Sequence, residues 1–358
     1  MAHSDAAAGE FPVPPQWVTQ SLRDGIVIPA HPLALTSDGD FDEQQQQRLT
    51  CYYHAAGAGG LAVGVHTTQF EIRSPQHQLL EPVLDLAAKT ARRLDAESDR
   101  QTVLVAGICG KTDQAIREAQ LARQIGYHVG LLSLASLPDA SDDELIQHCE
   151  RVAHEIPVFG FYLQPAVGGR KLSYDFWSRF LAIPNVVAIK ISPFDRYKTL
   201  DVIRAVAEAG RENDVAMYTG NDDSIVIDLL TEYEVLARGQ RIRVAIAGGL
   251  LGHWSCWTKK AVELLEMCQQ ARRSGQISNN LLTIAAQVTD CNAALFDAAN
   301  DFAGCIAGIQ FVLHRQGLLS SHRCLDEHEK MSPGQAEEID RVCNAYRHLI
   351  DEDCDIKI

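Results

Sequence analysis

The run Val186-Val187-Ala188-Ile189-Lys190-Ile191-Ser192 carries one lysine in an otherwise apolar strand-like segment, the residue of this chain whose type and setting most directly imply chemistry. A charged ammonium inside a strand bundle loses its hydration. Burial can lower such a pKa by up to about 3 to 5 units and leave a free amine that attacks a carbonyl to form a Schiff base. A second apolar run, Val158-Phe159-Gly160-Phe161-Tyr162-Leu163-Gln164, places Tyr162 twenty-eight residues before the lysine. Period-two alternation puts Tyr162 on one face with Gly160 and Gln164, and Lys190 on one face with Ala188 and Ser192. If the two runs are neighbouring strands of a closed parallel barrel, both side chains point into its mouth, where the phenol can relay protons to the amine. The plainer reading is that Lys190 snorkels from a strand end and Tyr162 is a packed aromatic with a satisfied hydroxyl. Against it stand the pairing itself and the unusual loop Pro165-Ala166-Val167-Gly168-Gly169 that follows the tyrosine.

A third chemical candidate is Val65-His66-Thr67-Thr68-Gln69, after another apolar run. Adjacent threonines can offer hydroxyls and backbone N–H groups to a small carboxylate, although a Thr-rich helix cap reads the same way. Other patterns carry less. The Gly-Ala-Gly-Gly at 57–60 ends a helical segment and precedes a strand, the reverse of the order a dinucleotide fingerprint needs. Gly110-Lys111-Thr112 lacks the upstream glycine of a phosphate loop, where Val105 stands. Asp38, Asp40 and Asp42 open like a calcium loop, but Glu43 occupies the position of the turning glycine; a turn at Asp38-Gly39 and a helix cap at Asp42 explain them. Asp222 and Asp223 read as a helix cap rather than a metal pair, and His31 and His253 as packing or hydrogen-bonding residues at strand ends.

The elements that must position these residues follow a rhythm. Apolar runs begin near residues 26, 60, 102, 128, 158, 186, 215 and 243, each followed by a helical pattern. Alternating strands and helices build a parallel sheet, and eight such units favour a closed (β/α)8 barrel over a doubly wound open sheet. Residues 1–20, rich in Ala and Pro, read as a flexible lead-in or an arm on the barrel's outside; residues 21–260 form the barrel, and 261–358 a helical region packed on it. Helices are expected over 254–273, 278–300, 302–317 and 333–350, the last opened by a serine cap in Ser332-Pro333-Gly334-Gln335.

Composition narrows the partners. With 358 residues, 46% hydrophobic and 22% charged, the chain can build one large core, and its net charge of -15 opposes binding to nucleic acid or an anionic membrane. Ten cysteines without a Cys-x-x-Cys pair point to reduced thiols rather than a zinc site or a disulfide framework. The N-terminal segment lacks a basic start followed by an apolar core, and no apolar run approaches membrane-spanning length, so a cytoplasmic protein is expected.

Tyr162-x-x-Pro165-x-x-Gly168 followed by Ile183-Pro184-Asn185 and the lysine run resembles the dihydrodipicolinate synthase and N-acetylneuraminate lyase superfamily, Schiff-base enzymes of the class I aldolase type on a TIM barrel with extra C-terminal helices. The resemblance spans residue 25 to the C-terminal helices. It implies that Lys190 forms the Schiff base, that Tyr162 relays protons, and that Thr67 and Thr68 match two threonines that bind a keto-acid carboxylate, Thr68 also serving the relay. Gly220 fits a glycine beside the bound keto acid. It further implies that no metal or organic cofactor is needed, because the iminium is itself the electron sink, and that the protein is a homodimer or homotetramer, as the apolar-rich helical tail also suggests. His66, Gln69 and Phe70 depart from the superfamily's Gly-Thr-Thr-Gly-Glu, and Val167 stands where the synthases carry an arginine for the aldehyde's carboxylate, with Arg170 three residues further on. The expected activity is therefore an aldolase or dehydratase acting on a 2-keto acid. A genuine dihydrodipicolinate synthase and a non-catalytic keto-acid sensor remain rivals, and a metal-dependent hydrolase is disfavoured because no His-x-His pair ends the first strand.

Overall fold

Short β-branched runs separated by amphipathic segments give parallel strands joined by helical crossovers, because parallel neighbours cannot be linked by a tight turn. The computed structural model, which describes residues 11–351, contains strands β1 (Val27–Pro29), β2 (Gly60–Val63), β3 (Val103–Ile108), β4 (Val129–Leu132), β5 (Val158–Leu163), β6 (Val186–Ser192), β7 (Ala216–Thr219), β8 (Glu232–Ala237) and β9 (Gln240–Leu251). Eight are parallel in the order β1-β9-β7-β6-β5-β4-β3-β2, and β8 pairs antiparallel with β9. Between β1 and β2 the ring is completed by an Ala30–Ala62 bridge and by hydrogen bonds from Gly59 N–H to Val27 O (3.1 Å) and His31 N–H to Ala62 O (2.8 Å). The expected eight-stranded barrel is thus observed. Its helices are α1 (Gln16–Asp24), α2 (Glu43–Ala55), α3 (Leu80–Ser98), α4 (Thr112–Ile125), α5 (Asp142–Ala153), α6 (Tyr174–Phe180), α7 (Arg196–Ala209), α8 (Ile225–Leu230), α9 (Thr258–Ser274), α10 (Asn279–Leu295), α11 (Cys305–Arg315) and α12 (Gln335–Ala345). Asp42 caps α2 through Gln45 N–H, as its position suggested.

The inner and outer cores are distinct. Ile28, Val103, Val105, Phe159, Ala188 and Tyr218 fill the barrel, while the opposite strand faces join the helices in a larger outer core. Val18 and Leu22 of α1 are fully buried within the inner cluster, and the Tyr218 hydroxyl donates to Leu22 O (3.0 Å) and accepts from Ile26 N–H (3.3 Å). Helix α1 therefore plugs the amino-terminal end of the barrel. This corrects the expectation of a flexible lead-in or outside arm over residues 1–20, of which 1–10 lie outside the described residues. The turn leaving the plug needs Gly25, with φ of +86°, because a Cβ there would lie 2.0 Å from Ala247 O.

Two other expectations change. The eighth unit begins with a hairpin: Arg238 and Gly239, both at positive φ, form the tight turn between β8 and the extended β9. Helix α12 starts after Gly334 rather than from a Ser332 cap; the Gln335 Oε1 atom accepts from Ser332 N–H (3.2 Å), and the Ser332 hydroxyl bonds Asp297 instead. The C-terminal helices reach the barrel's carboxyl end, where the Thr289 hydroxyl and Asn292 Nδ2 of α10 donate to Asp223 O (2.9 Å) and Asp222 O (3.0 Å) in the loop after β7.

Candidate active site

Lys190 projects into the mouth of the barrel from β6, as the alternation of Ala188, Lys190 and Ser192 requires, with its Nζ 4.4 Å from the centre of the Phe161 ring. It shares a partly open cavity of about 60 Å³ with His66, Thr67, Asp222 and Cys305, and Phe194, Phe296 and Phe302 add an aromatic part of the wall. At about 10 to 15 Å³ per water-sized position, that volume holds roughly four to six small heavy groups. Gly220 belongs directly beside the lysine: a Cβ there would lie 2.5 Å from Lys190 Cε and 2.9 Å from Ser192 Cβ. The Ser192 hydroxyl, donating to Gly220 O (2.6 Å), holds the two strands together at that level.

Burial governs the charges in this cavity. Desolvation pulls Lys190 down from 10.5 to about 8, opposed by the nearby Asp222, and pushes the Asp222 carboxyl up in turn, opposed by Lys190. Both groups are therefore driven toward their neutral forms, and Asp222 Oδ1 is buried without a hydrogen-bond partner. Desolvation and then the lysine's charge pull His66 down to about 4, so it is a neutral imidazole at physiological pH. Burial raises the Cys305 thiol well above its usual range.

Tyr162 does not enter the mouth. The β5–β6 register slips by one residue between Val158 and Phe159, so that Phe161 lies opposite Lys190 and Tyr162 opposite Ile191. A one-residue slip exchanges the two faces of a strand. Phe159, Phe161 and Leu163 therefore face inward, and Tyr162 packs outward on Trp177 at 5.5 Å. Its hydroxyl is held by the backbone of Leu172, donating to the carbonyl and accepting from the N–H at 3.3 Å each. The threonines divide in the same manner. Thr67 lines the cavity but its hydroxyl donates to Ala30 O (2.7 Å); Thr68 is fully buried, donating to His31 O (2.7 Å) and accepting from Gly64 N–H (3.0 Å) and Val65 N–H (3.2 Å). The two hydroxyls lock the turn His66–Thr68 onto the end of β1 instead of facing a ligand, while the first N–H groups of such a turn have no partner within it.

Of the predicted set, the fold thus gathers Lys190, Thr67 and Gly220 and leaves Tyr162 and Thr68 as supports. His31 is fully buried and bonded to Thr50 (2.9 Å) and Pro32 O (2.9 Å), His253 packs edge-on to Trp257, and neither lines the cavity. Arg170 bonds the carbonyls of Leu137 and Ala140, which ties the loop after β5 to the loop after β4. Asp222 and Asp223 are not caps; α8 begins after Ser224 without a side-chain cap. What the sequence reading missed is Asp222 as a cavity carboxyl, His66, and the aromatic cover. Asp222 was legible as the acid two residues beyond a glycine at a strand end, whereas Phe296 and Phe302 in the connection after α10, and Cys305 at the start of α11, arrive more than a hundred residues downstream of Lys190. The cover is held under backbone strain: Phe194 and Phe302, rings 5.6 Å apart, both have positive φ, 52° and 67°. Phe194 N–H donates to Asn221 Oδ1 (3.1 Å), and Asn221 is itself fixed by Thr199 (3.2 Å) and the buried Asp228 (3.0 Å).

The model of the dihydrodipicolinate synthetase family matches residues 25–232. The chain belongs to that family. Among curated relatives of the dihydrodipicolinate synthetase family, a 4-hydroxy-tetrahydrodipicolinate synthase from a Cyanothece species is 26% identical over 281 residues, covering 77% of this chain and 84% of its own. The fold is shared with dihydrodipicolinate synthase from Acinetobacter baumannii in complex with pyruvate (TM-score 0.71, 18% identity, 89% of this chain and 98% of that one). It is also shared with N-acetylneuraminate lyase from Fusobacterium nucleatum (TM-score 0.69, 14% identity, 92% and 100%). Family membership makes this chain a lyase-family protein. Among the described residues no helix is long and apolar enough to cross a membrane.

Proposed function

We propose that this protein is a Schiff-base lyase, an aldolase or dehydratase, acting on a 2-keto acid. The observation that carries the reading is Lys190, a desolvated amine at the end of β6 that shares with the carboxyl of Asp222 a partly enclosed cavity of small-acid size. The amine attacks the ketone, forming a C–N bond, and the carbinolamine oxygen leaves as water after protonation. The resulting iminium takes up the electron pair released when a carbon–carbon bond breaks, or, in a dehydration, the pair left by removal of the α proton, after which the enamine expels the β-hydroxyl as water; protonation of the enamine carbon and hydrolysis of the iminium by water then release the keto acid and the free lysine. With Tyr162 turned outward, Asp222 is the group suited to carry these protons, since its raised pKa keeps a proton available at neutral pH and its Oδ1 has no other partner. The substrate's carboxylate is received by the free N–H groups at the start of the turn His66–Thr68 and by the neutral His66 ring, with the threonine hydroxyls fixing that turn. No metal or organic cofactor is required by this sequence of steps.

The rival of a genuine dihydrodipicolinate synthase is opposed by Val167 in the cavity wall and by the engagement of Arg170 with two carbonyls, which leave no guanidinium for a second carboxylate. The outward phenol favours a second reading, a sensor that binds keto acids without turning them over. Borohydride added with pyruvate and a panel of longer 2-keto acids tests the proposal. A covalent adduct mapped to Lys190 is expected; an adduct on another lysine, or none across the panel, refutes it. Adduct formation without turnover of any panel member selects the sensor.

A further inference from the structure

The loop after β7 brings Asp222 to the lysine cavity and the segment after β6 brings Phe194, and one side chain outside the cavity grips both. Asp228, on α8, is fully buried. Its Oδ2 accepts from the Thr219 hydroxyl (2.6 Å) and from Asn221 Nδ2 (3.0 Å), the residues on either side of Gly220. Its Oδ1 accepts from Arg196 Nη1, two residues beyond Phe194. We infer that Asp228 and Asn221 are positioning residues for the reaction at Lys190: Asp228 orients the Asn221 amide, and that amide sets the Asp222 loop and the Phe194 wall against the amine. Its effect on rate rests on the Schiff-base reading, whereas its effect on the wall does not.

The hydrogen bonds of Asn221 allow one orientation of its amide. Nδ2 donates to Asp228 and to Thr199 Oγ1 (3.2 Å), whose own proton goes to Asp195 O (3.0 Å), and this leaves Oδ1 to accept from Phe194 N–H (3.1 Å). Phe194, at φ of +52°, keeps a backbone conformation that a bulky residue adopts only where its surroundings impose it. The Asn221 bond at its N–H and the hold of Asp228 on Arg196 supply that constraint. On its other side Asn221 leads into Asp222. Asn221 N–H donates to Thr219 Oγ1 (3.2 Å), and Asp222 O accepts from Asn292 Nδ2 (3.0 Å), so the backbone is fixed before and after the Asp222 side chain. Joining α8 to α7 would not by itself call for a buried carboxyl. The Arg196 side chain is 40% exposed and open to water, and an apolar residue at 228 would avoid the cost of burying a charge.

Asn221→Ala, Asp228→Ala and Asp228→Asn in the full-length protein test the assignment. Asparagine at 228 keeps an acceptor for Thr219 and Asn221 and gives up the bond from Arg196, which water can replace. Two readouts are taken: borohydride trapping over a range of pyruvate concentrations, and alkylation of Cys305 by iodoacetamide, mapped by mass. Cys305 lines the same cavity as Phe194, so its alkylation reports a displaced wall without any keto-acid chemistry. Asn221→Ala and Asp228→Ala should slow trapping at saturating pyruvate by about 10- to 100-fold and leave the half-saturating concentration within about threefold. Both should speed Cys305 alkylation by about tenfold or more, as local opening requires, and Asp228→Asn should recover most of both losses. If Asp228→Ala melts abnormally, Asn221→Ala decides, because it leaves Asp228 bonded to Thr219 and Arg196. Wild-type alkylation of Cys305 in a folded Asn221→Ala, a raised half-saturating concentration in place of a slower maximal rate, or an Asp228→Asn no better than Asp228→Ala overturns the inference. A wild type that no keto acid traps, with Cys305 opened in Asn221→Ala, rejects the Schiff base and keeps the positioning of the wall. Trapping of the wild type at Lys190, with both readouts unchanged in Asn221→Ala, rejects the positioning alone.

Discussion

Replacing Lys190 by methionine should stabilise the protein while abolishing its chemistry. The drop of Lys190 from 10.5 to about 8 on burial means that the folded state holds the ammonium less favourably than the unfolded chain does. At about 1.4 kcal/mol per pKa unit this amounts to about 3 kcal/mol of destabilisation. The penalty is fully present below the folded value, falls as pH rises above about 8, and is gone above the unfolded value of 10.5. Methionine keeps the length and lack of branching without the charge, but forfeits the contact of Nζ with the Phe161 ring at 4.4 Å, worth about 1 kcal/mol. The net gain at pH 7 is about 2 kcal/mol. Spread over 358 residues, at about 2.1 cal/mol/K of unfolding entropy each, it raises Tm by about 2 to 3 °C. Asp222, pushed up in the same cavity, stays largely protonated at neutral pH in both proteins and does not mask the difference. Paired thermal melts of wild type and Lys190→Met from about pH 6 to about pH 10 measure it. A variant no more stable than wild type at pH 7, or a gain that grows with pH, would refute a desolvated ammonium at this site.

Tyr162→Phe should leave the rate of pyruvate trapping within about twofold and lower stability by about 1 kcal/mol, the value of the lost bond to Leu172; a hundredfold slower reaction would restore the phenol to the mechanism. Gly220→Ala should slow trapping more than tenfold, because its methyl would stand 2.5 Å from Lys190 Cε, with a stability cost of about 1 to 3 kcal/mol read by denaturant unfolding. Asp222→Asn should retain binding of a keto acid but reduce turnover by about 10² to 10⁴ in steady-state assays, and equal turnover would remove the carboxyl from the proton path. The trapping rate of the wild type should rise as pH passes through about 8, since the free amine is the nucleophile, and a rise only near 10.5 would argue against burial of Lys190.

Eight apolar runs at regular spacing made the barrel legible, because strand and helix periods are local properties that the core requires of every unit. The β8–β9 hairpin is written in the alternation of Glu232 to Ala237 and the turn at Arg238-Gly239, but it breaks the uniform strand–helix rhythm that marks the other units. Lys190 could be found because a cation in an apolar run has few explanations. Tyr162 could not be oriented, since all six residues of β5 are buried and a strand apolar on both faces gives no inward signal. Only the register slip at Phe159 decides which face turns in, and that slip depends on pairing with β6. The engaged hydroxyls of Thr67 and Thr68 were equally hidden, because their acceptors, Ala30 O and His31 O, lie just past the end of β1, thirty-seven residues away.

The lid over Lys190 has a bearing on how the protein is made. Phe302 leaves the ribosome about 110 residues after Lys190, which at 5 to 20 residues per second is a delay of roughly 5 to 20 seconds. During that interval the barrel strands can pair while the lysine stays hydrated, and a hydrated lysine is an ammonium with no free electron pair. On the proposed chemistry, reactivity of Lys190 toward carbonyl compounds would therefore develop only after Phe302 has been made.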